Sequence, residues 1–197
     1  GSGGGGGGAQ GDGGCAVAPS GVVAWWDGDS VSGTTALDLK GGFNGTMSGD
    51  VVVATGKVGS AFSFGGNGGI TTAVSAQLAP ASAMTIELWV RRFTAQTVWT
   101  RLVGVAEDNN PSSTWSIGVG SYDGIYFGIW KGGQQATLDG HTVIPFAWSH
   151  IAATWDGLVQ RAYIDGVLQT DVAAVAAPLA TPTSPLRIGR GSSPSYN

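Results

Sequence analysis

Cysteine and histidine are scarce in this sequence. Cys15 is the only cysteine, and His141 and His150 are the only histidines. A disulfide within the chain is therefore impossible, and Cys15 is either an unpaired thiol or a partner for another chain. One cysteine and two histidines are also too few for a structural zinc site of the usual type.

Charged residues and long apolar runs are also few. Charged residues make up 11% of the 197 residues, the formal net charge is −4, and the nine Lys and Arg residues are scattered. Because phosphate binding needs clustered Lys and Arg, nucleic acid is not expected as a partner. No apolar run approaches the roughly 18 residues of a membrane span, and no signal peptide is recognised.

The sequence lacks the acidic pairs of glycan hydrolases. These enzymes need two carboxylates at a fixed separation, one of them an acid and the other a nucleophile or base. Glu87 and Glu107 are the only glutamates, and they are far apart in the chain. No Ser, His and Asp stand in a nucleophile-elbow context either. The sequence therefore predicts a protein that is not an enzyme.

Glycine, in contrast, is abundant, with 35 residues, and the excess over average usage is concentrated at the N-terminus. Residues 1–20 are predicted to be a Gly-rich tail or assembly arm, and residues 21–197 to form the folded domain. Gly-rich segments are normally flexible linkers. The alternative is that a neighbouring subunit holds the tail in place.

Two strand-like runs and a third, shorter one occupy residues 148–168. Asp156-Gly157 and Asp165-Gly166 separate them, and an Asp-Gly pair between alternating runs is a strong hairpin signal. An antiparallel meander is therefore predicted here. Residues 84–91 alternate strictly, with Trp89 on the same face as Glu87 and opposite the apolar residues. Further strands are predicted at residues 21–26, 51–53, 61–64, 100–105, 114–119, 125–130 and 186–189, with a loop at 31–50 and no convincing helix.

An all-β sandwich follows from these many short strands and regular turns. Over about residues 21–190 the sequence also resembles laminin-G-like, concanavalin-A-like jelly-roll domains. The resemblance rests on seven motifs in order: Trp25-Trp26, Asp38 with Asn44-Gly45, and the runs at 56–64, 85–90, 148–152, 163–166 and 186–189.

The resemblance implies a two-sheet antiparallel jelly roll, used mainly for adhesion and for carbohydrate or protein binding. Such domains recur in secreted bacterial proteins and in phage tail and surface proteins. They usually close with one further strand, which this sequence lacks after residue 191. An open sheet edge is expected as a result, filled by residues 1–20 or a neighbouring copy, or else the chain is a fragment of a longer protein.

The resemblance also implies a calcium site in the loop where relatives often carry an ion. Asp27, Asp29, Asp38 and Asn44 would supply the oxygen ligands that calcium prefers. A second acidic cluster spans residues 107–110. The alternative interpretation is that these Asp and Asn residues form turns through local backbone hydrogen bonds.

Eight tryptophans are many for this length. Most of them are expected to fill the space between the two sheets. Trp89 is the candidate for ligand contact, because it shares a face with charged residues. Trp99 and Tyr122, near predicted loops, are further ligand-binding candidates.

Two functions are expected. The first is recognition of a glycan or surface polymer on the outside of a cell or virion, with calcium as a candidate cofactor. The second is a structural role as a decoration, fibre or filament subunit. In that role the Gly-rich tail and the open edge would contact copies of the chain or other surface or virion proteins.

Overall fold

The computed structural model describes residues 18–93, 100–105, 114–120, 124–131, 134–143, 146–173 and 178–189. Fifteen strands lie in these residues, together with a single 3-10 turn at Ala76–Leu78. The strands are β1 (Val31–Ser32), β2 (Thr35–Ala36), β3 (Gly45–Ser48), β4 (Val52–Thr55), β5 (Ser60–Ser63), β6 (Gly69–Thr71), β7 (Met84–Val90), β8 (Thr100–Val105), β9 (Trp115–Val119), β10 (Gly124–Lys131), β11 (Gln134–Val143), β12 (Ser149–Trp155), β13 (Val159–Ile164), β14 (Val167–Ala173) and β15 (Arg187–Ile188).

Two antiparallel sheets and one separate hairpin make up the described part of the chain. The larger sheet has nine strands in the order β1-β2-β3-β6-β15-β8-β9-β10-β11. The smaller has four, in the order β14-β13-β12-β7, and β4 pairs with β5 alone. The predicted all-β, two-sheet antiparallel jelly-roll sandwich is confirmed. No described helix is long and apolar enough to cross a membrane.

The predicted meander is β12, β13 and β14. Side chains along β12 alternate between buried and half-buried, as the period of a strand requires. Asp165 and Gly166 both have positive φ, 50° and 79°, so the second Asp-Gly pair forms the expected primed hairpin turn. At the first pair only Gly157 has positive φ, at 90°. The Asp156 side chain forms that turn instead, by accepting hydrogen bonds from the amides of Leu158 and Val159.

The main core lies between the two sheets. Ile117 and Phe127 of the larger sheet and Ile151 and Trp155 of the smaller one are fully buried and belong to one cluster. Burying each such side chain stabilises the fold by about 1.5–3 kcal/mol. One polar side chain also joins the sheets: Gln160 is fully buried, and its Nε2 donates to the Phe127 carbonyl oxygen at 3.1 Å.

β7 lies at the end of the smaller sheet, and β12 is its only partner among the described strands. Leu88 and Ile86 face the core but are only half-buried, whereas their partners Ile151 and Ala153 on β12 are fully buried. The outer edge of β7 is therefore open in the part of the chain that the structure describes.

Two local predictions are wrong, and two strands were not predicted. The predicted strand at 21–26 is not a strand in the structure; Leu39 N donates to the Trp25 carbonyl oxygen at 2.9 Å as an isolated bond. The predicted loop at 31–50 contains β1, β2 and β3, which are too short to show an alternating pattern. β6 was not predicted because it has only three residues, and β11 because its sequence QQATLDGHTV carries little β-branched or aromatic signal.

The predicted boundary between tail and domain remains a prediction. Residues 1–17, with Cys15, fall outside the residues described, and so do residues 190–197, where the absence of a closing strand is expected.

Candidate functional site

Asp38, one of the predicted calcium ligands, organises the loop that follows it. Its Oδ1 accepts from the amides of Trp25 at 2.7 Å and Lys40 at 3.1 Å. Its Oδ2 accepts from the amides of Gly41 at 2.8 Å and Phe43 at 2.9 Å. A carboxylate offers about four acceptor sites, so these four amides occupy them all.

The other three predicted ligands also accept from protein donors. Asn44 Oδ1 accepts from the Asp38 amide at 2.9 Å. Asp27 Oδ1 accepts from the amides of Asp29 and Ser30, at 3.0 and 2.9 Å. Asp29 Oδ1 accepts from the Ser60 amide at 2.9 Å and so ties this turn to β5.

These oxygens therefore face N–H groups, an environment that suits an anion and does not suit Ca²⁺. The described residues contain no group of three or more His, Cys, Asp or Glu side chains that could hold a metal ion. In this arrangement the residues do not fit calcium, and ion binding here stays a prediction.

Two of the three predicted ligand-binding residues, Trp99 and Tyr122, lie outside the described residues. The second acidic cluster, at residues 107–110, lies outside them as well. The third, Trp89, is described in full. It stands on the outer face of β7 and is 48% exposed.

Trp89 packs against side chains from β12 and from the turn between β4 and β5. His150 is its direct partner on β12, with ring centroids 5.3 Å apart and planes tilted by 59°. His150 Nε2 also lies 3.7 Å from Glu87 Oε2 on β7. From the hairpin of β4 and β5, Lys57 places its Nζ 5.4 Å from the centroid of the Trp89 ring.

The aromatic surface continues past the end of β7. Arg91 Cζ lies 4.9 Å from the Phe93 ring centroid and 5.1 Å from that of Trp148. Phe93 is 69% exposed. We call this surface the cation–aromatic face; it consists of Trp89, Arg91, Phe93, Trp148 and His150.

Sequence reasoning found Trp89 and placed Arg91 on the same face, but it missed Phe93, Trp148 and His150. Phe146, 55% exposed with Arg92 Cζ 5.0 Å from its ring centroid, adjoins the face and was missed as well. The signal was present in part, because Arg91 follows Trp89 at the two-residue spacing of one strand face. The contact of Arg91 with Trp148 can be predicted only from the register of β7 against β12. The sequence alone does not give that register.

The outward face of the larger sheet carries a second aromatic pair. Tyr126 and Trp130 of β10 lie with ring centroids 6.4 Å apart. They pack over Gly128, where an added Cβ would stand 2.5 Å from Trp130 Cη2. Both rings are half-buried against the sheet. The cation–aromatic face therefore offers more accessible aromatic surface.

An ion pair lies at the other end of β12. Arg161 Nη1 donates to Asp156 Oδ2 at 2.8 Å. This hydrogen bond, with those from the Val159 and Leu158 amides, lowers the pKa of Asp156 from 3.8 to about 2. The pair is exposed and closes a turn, so we assign it a structural role.

Solved structures share this architecture. Domain 4 of an extracellular arabinanase from Geobacillus stearothermophilus, in complex with arabinotriose, matches with a TM-score of 0.61 and 22% identity. The match covers 78% of this chain and 77% of that one. Two toxin structures also match, and this chain spans 44% of each of them.

The first toxin structure is the binding domain of Paraclostridial Mosquitocidal Protein 1, with a TM-score of 0.66, 16% identity and 84% of this chain covered. The second is botulinum neurotoxin type C, which depends on two ganglioside molecules to enter cells; its TM-score is 0.62, with 14% identity and 89% of this chain covered. At these identities the similarity establishes the fold. A search of curated proteins gave no match.

A laminin G family model, described as the concanavalin A-like lectin/glucanases superfamily, matches residues 64–197. This region is more than half of the chain and contains β7, β12 and the whole cation–aromatic face. The chain belongs to the concanavalin A-like lectin/glucanase superfamily.

Proposed function

We propose that this domain is a non-enzymatic glycan-binding module and that the cation–aromatic face is its sugar-contacting surface. The observation that carries the proposal is the exposure of Trp89 and Phe93 beside Arg91 on the outer face of the smaller sheet. Exposed aromatic patches rimmed by polar groups are typical of interaction sites. We also propose that the domain works on the outside of a cell or virion, which the similarity to a domain of an extracellular arabinanase supports.

The chemistry of this face suits a sugar ring. A sugar has apolar C–H surfaces, which pack on aromatic rings, and hydroxyl groups, which need hydrogen-bond partners. Trp89 and Trp148 supply ring surface, while Arg91, His150 and Glu87 supply donors and acceptors at its margin. β7 and β12 pair over seven residues, so the strands hold these side chains in a fixed arrangement.

Similar structures support a glycan as the ligand. Relatives of this fold have been solved with arabinotriose and with sialyllactose, and one depends on gangliosides. The sialyllactose complex is a carbohydrate-binding domain of a Ruminococcus gnavus sialidase. Most of these matched structures are binding domains, which favours binding over catalysis.

The arrangement around Glu87 also favours binding. A glycan hydrolase of the usual type pairs two carboxyl groups across the scissile bond. On the cation–aromatic face, the group near Glu87 is the imidazole of His150. The Asp165 carboxylate, at the adjacent turn, accepts a hydrogen bond from the His150 amide at 2.8 Å.

A glycan array followed by titration calorimetry tests the proposal. We expect the wild type to bind at least one glycan, and Trp89→Ala and Trp148→Ala to weaken that binding by about tenfold or more. Leu158→Ala is the matched control, since Leu158 is 70% exposed at the opposite end of β12. Unchanged affinity in both Trp variants, with the fold intact by circular dichroism, would show that the cation–aromatic face is not the glycan-binding surface.

A second candidate function is assembly through the open edge of β7. The half-buried Ile86 and Leu88 support it, because an added strand would cover them and pair the free backbone groups. The proposed partner is another copy of the chain. Light scattering after size-exclusion chromatography should then show oligomers that grow with concentration, and a monomer at all concentrations would rule this function out.

A further inference from the structure

We propose that the ligand of the cation–aromatic face is an acidic glycan, a sugar chain that carries carboxylate groups, and that Lys57 and Arg91 bind those groups. This inference rests on the proposed function, since it specifies the class of glycan that the same face binds. It adds Lys57, on the neighbouring hairpin, to the residues that contact the ligand.

Lys57 and Arg91 have no carboxylate partner among the described residues. The described ion pairs are Arg161 with Asp156 and His150 with Glu87. Lys57 and Arg91 instead contact aromatic rings, at 4.9 to 5.4 Å from the ring centroids. Two cations on one surface that no described carboxylate pairs with leave their charge available to an anionic ligand.

Two cations grouped on one surface stand out in a chain whose net charge is negative. The chain has thirteen acidic and nine basic residues and a net charge of −4. Glu87 is the one acidic residue of β7 on the outer face of the strand, and His150 lies beside it. A net negative protein that keeps two cations beside exposed aromatic rings, with no described carboxylate bound to either, is suited to select an acidic ligand by charge.

The rings also hold the two cations in position before a ligand binds. Cation–π contacts keep the Lys57 ammonium near Trp89 and the Arg91 guanidinium between Phe93 and Trp148. Trp89 and Arg91 are two residues apart on one strand face, which is about 6.6 Å. A sugar ring stacked on Trp89 would therefore bring its carboxylate within reach of Arg91, whose planar guanidinium binds carboxylates through two hydrogen bonds.

The test compares a galacturonate trisaccharide with its carboxyl-reduced, neutral counterpart, by titration calorimetry at low salt. We expect the wild type to bind the acidic form about tenfold tighter or more, and the difference to shrink as salt is raised. Lys57→Gln and Arg91→Gln should each reduce affinity for the acidic form by a larger factor than affinity for the neutral form, because only the acidic form has carboxylates for the lost charge to bind. Lys40→Gln is the control, because it removes the same charge from a loop outside the cation–aromatic face.

The outcomes separate this inference from the proposed function. Equal affinity for the acidic and neutral forms would overturn the inference and leave glycan binding standing. Binding of other glycans on the array, all of them neutral, would overturn it in the same way. If no glycan binds the wild type at all, the proposed function fails and the inference fails with it. Because Lys57 and Arg91 are on the surface, circular dichroism should show that their variants fold.

Discussion

Trp89 of β7 and His150 of β12 are direct cross-strand partners whose ring centroids lie 5.3 Å apart. Glu87, two residues before Trp89, stands 3.7 Å from His150 Nε2. His150 is therefore in contact with two successive outward residues of the same strand. His150 lies near the start of β12, so we expect it to link the stability of the strand pair to the proposed binding surface.

We expect Trp89 and His150 to stabilise the domain jointly. Cross-strand aromatic pairs contribute about 0.5–1 kcal/mol beyond their separate burial. A double-mutant cycle with Trp89→Ala and His150→Ala, measured by urea denaturation, should give a coupling free energy in this range. The pair Trp89→Ala and Leu158→Ala should be additive, since Leu158 lies at the other end of β12. Additivity in both cycles would contradict the predicted coupling.

Local sequence pattern was enough to predict much of this surface. The strict alternation of residues 84–91 predicted β7 and placed Trp89 on the outer face with Glu87, as the structure shows. The meander of β12 to β14 was predicted from its Asp-Gly turns. What could not be predicted is contact between elements that share no hydrogen-bonded pairing, such as that of Trp89 on β7 with Lys57 in the turn between β4 and β5.

The elements that were missed share a physical cause. β1 and β2 have two residues each, and their stability comes from pairing with neighbours. Residues 22–26 have the composition of a strand, yet their backbone hydrogen bonds go to side chains and loops. The Trp25 amide, for example, donates to the Asp38 carboxylate. In both cases tertiary hydrogen bonds override local propensity. The same argument applies to the predicted calcium ligands, whose sequence pattern is identical whether they bind a cation or cap a turn.

Asp165 offers a test of the hairpin that orients His150. Its φ is 50°, its amide donates to the His150 carbonyl oxygen at 2.7 Å, and its Oδ1 accepts from the His150 amide at 2.8 Å. Asp165→Ala loses the side-chain acceptor and strains the backbone, so we expect a loss of about 1–2 kcal/mol in the free energy of unfolding. Asp165→Asn keeps an acceptor oxygen and tolerates positive φ, so it should lose less. Equal losses in the two variants would show that the side-chain acceptor is unimportant.

A substitution at Asp38 distinguishes the two interpretations of the acidic loop, a calcium site and a turn held by backbone hydrogen bonds. Asp38→Asn replaces one acceptor oxygen by an NH₂ group that faces amide donors, so we expect the melting temperature to fall by several degrees, as for a loss of about 1–3 kcal/mol. If Asp38 only accepts hydrogen bonds from backbone amides, the fall in melting temperature should be the same in EDTA and in millimolar calcium. Calcium should then leave the melting temperature of the wild type unchanged. A rise in the wild-type melting temperature with calcium, absent from the variant, would instead support the predicted ion site.

Asp156 should make a pH-dependent contribution to stability in acid. The hydrogen bond from Arg161 and those from two amides lower its pKa from 3.8 to about 2, so the folded state favours the charged carboxylate. The contribution is therefore complete above the unfolded pKa near 3.8, and it is lost as pH falls towards 2. We expect the gap in melting temperature between the wild type and Asp156→Asn to close across that interval.

The cause of this shift can be checked at the residue itself. Carboxyl NMR titration should place the pKa of Asp156 near 2 in the wild type and closer to 3.8 in Arg161→Gln, because the Arg161 hydrogen bond is the largest contribution. The Val159 and Leu158 amides remain in that variant, so part of the lowering should persist. An unchanged pKa in Arg161→Gln would show that the backbone turn alone holds the carboxylate in its charged form.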